Sequence, residues 1–91
     1  MDNLNNWEEV TKGLYRYVIA TNVSYEIHIK YWDHADSLEN ATSELFLVGD
    51  WHHIKDSKNT TERELLSPKD KEITLKECIL LAVQDNKENN E

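Results

Sequence analysis

The stretch Val23 to Trp32 limits what this chain can fold into more than any other. Tyr25, Ile27, Ile29 and Tyr31 alternate there with Glu26, His28, Lys30 and Trp32. Successive side chains of a strand point to opposite faces, so a period of two makes a strand with one dry and one wet face. A dry sheet face needs a covering layer. The C-terminal third supplies one. Thr74-Leu75-Lys76-Glu77 reads as a capping box, and Ile73 before it is placed to staple onto Cys78. Leu75, Cys78, Ile79, Ala82 and Val83 then share one face of a helix, while Leu80 and Leu81 fall outside that stripe. From Asp85 onward the residues are polar, as in a frayed tail.

Upstream, Leu14 to Ala20 reads as a strand, with Thr21 and Asn22 marking the turn into the next. Loop parity decides which side chains meet. A two-residue loop sets Arg16 beside Ile27 on the dry face. An odd loop aligns Tyr15, Tyr17 and Ile19 with Tyr25, Ile27 and Ile29, and puts Arg16 beside Glu26 or His28. The second arrangement keeps charge out of the core and is the expected one. Asn6 to Gly13 reads as a short N-terminal helix, with Asn6 and Glu9 as a box-like cap and Gly13 as its stop. Asp33 to Ala41 is a polar loop with room for one helical turn.

A third strand, Thr42 to Ile54, carries Leu45-Phe46-Leu47-Val48, an unbroken apolar run that fits a strand covered on both faces, with Gly49 then weakening or bulging it. Asp56 to Asn59 is a turn cluster. Thr60 to Leu66 makes a charged edge strand, stopped before Pro68. The expected class is α+β. A four-stranded antiparallel meander carries the C-terminal helix on one face, with a short N-terminal helix beside it. Residues 1–84 form the domain and 85–91 the tail.

Composition narrows the functions. The formal net charge is −8 and the ten Lys and Arg are scattered, which argues against direct binding to nucleic acid. No stretch approaches the roughly 18 apolar residues of a membrane span. The first ten residues lack the basic and apolar regions of a secretory signal, and a single cysteine fits a reducing compartment, so the cytoplasm is expected. Two glycines cannot build a phosphate-binding loop, and no cofactor is implied. Cys78 lies on the apolar stripe of the helix and reads as a structural thiol. Asp50 and His52, two apart, share a strand face and are the best metal-ligand pair in the chain. His53 points the other way, and His34 with Asp33 and Asp36 lies in a different loop. A small metal-dependent or acid–base enzyme built on Asp50 and His52 is therefore an alternative reading.

What remains is surface. With the helix on the tyrosine face, the other face carries Leu14, Arg16, Val18, Glu26, His28, Lys30, Trp32, Phe46 and Val48. Trp and Arg dominate binding energy at many interfaces. The candidate partner-binding residues are accordingly Trp32, Phe46, Val18, Arg16, His28 and Glu26. Either an N-terminal helix bearing Trp7 and Val10 folds over this face, or a partner does. The expected function is a non-catalytic acidic protein-binding module. One specific form is a phage or mobile-element inhibitor, of anti-CRISPR or anti-restriction type, that occupies a basic nucleic-acid-binding surface on a nucleic-acid-processing protein. A structural subunit or a homodimer is the other non-catalytic alternative.

Overall fold

A computed structural model describes residues 2–31, 37–50 and 61–89. It is an α+β fold in which an antiparallel sheet carries one C-terminal helix. The strands are β1 (Glu8–Thr11), β2 (Leu14–Ala20), β3 (Val23–Tyr31), β4 (Thr42–Asp50), β5 (Thr61–Leu65) and β6 (Ile73–Thr74), followed by the helix α1 (Leu75–Asn89). The order β1-β2-β3-β4-β5 is a meander, and β6 pairs with the start of β4 on the edge that β5 leaves open. The sheet thus has one strand at its N-terminal edge and one short strand more than expected.

The expected N-terminal helix is replaced by a 3-10 turn at Leu4–Asn6 and by β1. Eight residues are too few to repay helix nucleation. The same segment can instead satisfy the open edge of β2, pairing Glu8 with Arg16 and Glu9 with Tyr15. Gly13, with φ of 87°, does adopt a left-handed conformation, but to close this hairpin rather than to stop a helix.

The β2–β3 hairpin reconciles the two loop lengths. Thr21 and Asn22 form a two-residue connection between the paired Ala20 and Val23, with Asn22 at φ 64°. A bulge at Ile19 then shifts the register by one, so Arg16 lies opposite Glu26 and Tyr17 opposite Tyr25. Gly49 is not a bulge in β4. It pairs with Val23, and a Cβ there would lie 3.2 Å from a Val23 methyl, so the residue permits close packing.

The core lies between the sheet and α1. Tyr15, Tyr25, Ile27 and Leu45 from the sheet meet Leu75, Cys78, Ile79 and Ala82 from the helix, with Tyr17, Ile19, Ile29 and Leu47 packed around them. Fully burying an aliphatic side chain contributes about 1.5–3 kcal/mol. Trp7 joins this side, its ring centroid 5.5 Å from that of Tyr17. α1 starts with the expected reciprocal cap: the Thr74 amide donates to Glu77 Oε1 at 3.1 Å and the Glu77 amide to Thr74 Oγ1 at 3.2 Å.

Residues 85–89, which read as tail in the sequence, are the last turns of α1. The Tyr25 hydroxyl donates to Asp85 Oδ2 at 2.5 Å and ties that end to the sheet. Burial, then Asp85, pushes the Tyr25 phenol well above its ordinary value. Between β5 and β6 the edge of β4 is closed by Ser67, whose hydroxyl accepts from the Leu45 amide at 3.2 Å while Leu66 donates to the Leu45 carbonyl at 2.8 Å. No helix among the described residues is long and apolar enough to cross a membrane.

Candidate functional site

The face of the sheet away from α1 is a grid of three rows set by strand register. Leu14, His28 and Glu44 form one row; Glu8, Arg16, Glu26, Phe46 and Leu65 the next; Val18, Ser24, Val48 and Arg63 the third. Trp7 packs on the opposite side, so the N-terminal segment does not carry it over this face. Val18 is 62% exposed. Phe46 and Val48, the outward half of the β4 apolar run, are half-buried.

Glu26 is the centre of the grid. It was expected on the wet face, yet its side chain is only 4% exposed. Arg16 donates from Nε and Nη2 to Oε2 at 3.3 and 3.1 Å, and Arg63 donates from Nη2 to Oε1 at 3.1 Å. His28 Nε2 lies 3.2 Å from the same Oε1 and donates to it when it carries the proton. A desolvated carboxylate persists only when it is paired and hydrogen-bonded. Here the guanidinium donors of two strands do both, joined by His28 Nε2 when it carries the proton. The lid is itself packed: the His28 ring meets Phe46 edge-on with centroids 4.9 Å apart, and the Arg63 guanidinium lies over the Phe46 ring at 5.4 Å. His28 and Arg63 therefore each have one end on the carboxylate and one side on the aromatic ring.

Of the six candidates, Arg16, Glu26, His28 and Phe46 come together in this cluster, and Val18 lies one row away. Trp32 lies outside the described residues, as do His34, His52 and His53, and nothing is described of the Asp50 side chain. Arg63 joins the cluster although its sequence context reads only as an edge charge. The signal that would have found it is the pairing of Val48 with Arg63, and that depends on the long connection between β4 and β5.

Chemically, the cluster positions groups. Both Glu26 oxygens are engaged by donors, so the carboxylate holds side chains in place. Ser24 shares the face with His28 but stands four residues along the same strand, about 13 Å away, too far for a hydroxyl–imidazole pair. Cys78 is fully buried on the other side of the sheet, and burial, then Glu77 and Glu44, pushes its thiol up to about 12, far from reactivity near neutral pH. Among the described residues no three His, Cys, Asp or Glu side chains gather as a metal site would need. No protein-family model, curated protein or solved structure matches this chain.

Proposed function

We propose that this chain is a non-catalytic protein-binding module that docks through the face holding Arg16, His28, Phe46, Arg63 and Val18. One observation carries the reading: a buried carboxylate on the sheet face away from the core spends its bonds on orienting two arginines and a histidine, and Arg63 and His28 also pack on the Phe46 ring. Preorganised Arg and aromatic side chains lose little entropy on binding and are the types most enriched among energetic anchors. Glu26 then acts as a positioning residue, and Arg16, Arg63, Phe46 and Val18 make the contact.

The partner that fits is a protein with a basic surface. The chain is strongly acidic as a whole, and Glu8 and Glu44 stand on the same face as the cluster, Glu8 at the β1 end of its central row and Glu44 in an outer row. Long-range attraction would steer such a pair together, while the central arginines and phenylalanine set the docked register. A cytoplasmic nucleic-acid-processing protein, blocked by an inhibitor of anti-CRISPR or anti-restriction type, is the specific form of this reading.

Affinity capture from bacterial lysate, read by mass spectrometry at low and moderate salt, tests it with wild type beside Phe46→Ala. A basic nucleic-acid-processing protein held by wild type, lost with the variant and weakened by salt supports the proposal. A partner held equally by both, or none at all, removes it.

A further inference from the structure

The outer face of α1 carries Leu80 and Leu81, 57% and 37% exposed, although the helix already buries a complete stripe on the sheet. Apolar grooves of about 190 and 290 Å³ flank Leu80, one beside Leu4 and Ile79, the other beside Pro68, Ile73 and Leu81. Along α1 itself the charges beside these leucines are segregated, whereas Asp2 and Glu39 line the groove on the Lys76 side and Lys71 the groove on the Glu77 side. At 3.6 residues per turn, Lys76 and Lys87 project within about 20° of one another on one flank, and Glu77 and Glu88 within about 20° on the other. Leu80 and Gln84 run between the two flanks.

That arrangement has a self-complementary solution. In a parallel two-fold pair of helices, the opposite flanks of the two copies face each other at the same height. Lys76 of one copy then lies beside Glu77 of the other, and Lys87 beside Glu88, each pair occurring twice. An antiparallel pair brings like flanks together, Lys beside Lys and Glu beside Glu. We infer that this face is a homodimer interface in which two copies of α1 pack in parallel along the Leu80–Gln84 seam, with Leu81 of each opposite the Leu4–Ile79 groove of the other.

α1 is about 22 Å long, so the seam is small against the roughly 1,200–2,000 Å² of stable interfaces, and the dimer is one of micromolar affinity. Both open sheet faces point outward in it, and the inference stands independently of what they bind.

Sedimentation velocity of the full chain from about 5 to 500 µM tests it, a range that brackets a weak interface. Wild type should shift from monomer to dimer across it, and Leu80→Glu should remain monomeric with an unchanged far-UV spectrum. Glu88→Lys is the discriminating variant. It makes each copy less acidic by two charges, which alone favours association, yet in the parallel seam it sets two cationic side chains together. We expect it to weaken the dimer by about fivefold or more, and the swap K87E/E88K to return it to within about twofold of wild type. A wild type that stays monomeric, a dimer insensitive to Leu80→Glu, or a Glu88→Lys dimer as tight as wild type or tighter overturns the inference.

Discussion

Glu26→Gln preserves shape and burial and removes one charge, so it isolates what the carboxylate does. Its two oxygens receive four donors: Arg16 Nε and Nη2 on Oε2, and Arg63 Nη2 and His28 Nε2 on Oε1. A glutamine amide has one acceptor end and one donor end. With the amide nitrogen at the Oε2 position two of the four contacts become donor against donor; at the Oε1 position the Arg63 contact does, and the His28 contact too when its Nε2 carries the proton. Losing one or two bonds to a charged acceptor costs about 1–3 kcal/mol. The Arg16 and Arg63 side chains are 37% and 50% exposed and can turn to water, which favours the lower half of that range. We expect a loss of about 1–2 kcal/mol, or roughly 5–15 °C in Tm for a domain of this size.

Urea unfolding followed by far-UV circular dichroism measures it, with an unchanged m-value as the sign that only stability moved. The Arg63→Met variant completes a double-mutant cycle. If the lid acts through Glu26, the double variant should lose less than the sum of the singles, by about 0.5 kcal/mol or more. A Glu26→Gln loss below about 0.5 kcal/mol, or additivity within about 0.3 kcal/mol, would refute the idea that this carboxylate organises the face.

Three further outcomes follow from the core side. Ser67→Ala removes the acceptor of the buried Leu45 amide and should cost about 1–3 kcal/mol in the same urea assay; a loss under about 0.5 kcal/mol would mean the β4 edge is closed some other way. Tyr25→Phe breaks the tie to Asp85 and should cost about 1 kcal/mol while raising amide exchange in the last turns of α1; unchanged exchange there would show that the helix end is held without it. Stability should also fall with alkali. Cys78 and Tyr25 hold their protons more tightly when folded, so the native state binds more protons than the unfolded one in that range. The thiol's contribution is complete below its ordinary value of 9.0 and is lost as pH climbs toward about 12. An unfolding midpoint that stays flat from about pH 8.5 to 11 would contradict this sign.

The β3 alternation and the Thr74–Glu77 cap were legible in the sequence because each is decided within a few residues. The N-terminal segment was not. Asn6, Glu9 and Gly13 satisfy the local rules of a helix, but Gly13's positive φ serves a hairpin equally well, and what decided was the unpaired edge of β2. The β2–β3 register followed from matching dry faces, yet the chain reached it with a two-residue turn and a bulge at Ile19, because a bulge inserts the odd residue without lengthening the loop.

The same distinction between local and distant causes separates what the candidate residues were expected to do from what they are placed to do. Alternation correctly puts Glu26 on the face away from the core, and from there it looks like a solvated contact. Its burial comes from Arg16, ten residues before it, and Arg63, 37 residues after it, which no local pattern encodes. A carboxylate enclosed by its own lid cannot present its charge to a basic partner. If this face binds through acidity, the acidity must come from its periphery at Glu8 and Glu44, while the guanidinium groups and the Phe46 ring form the centre. Salt should therefore weaken the encounter with a partner more than it weakens the docked contact, a division that association and dissociation rates measured at two ionic strengths would separate.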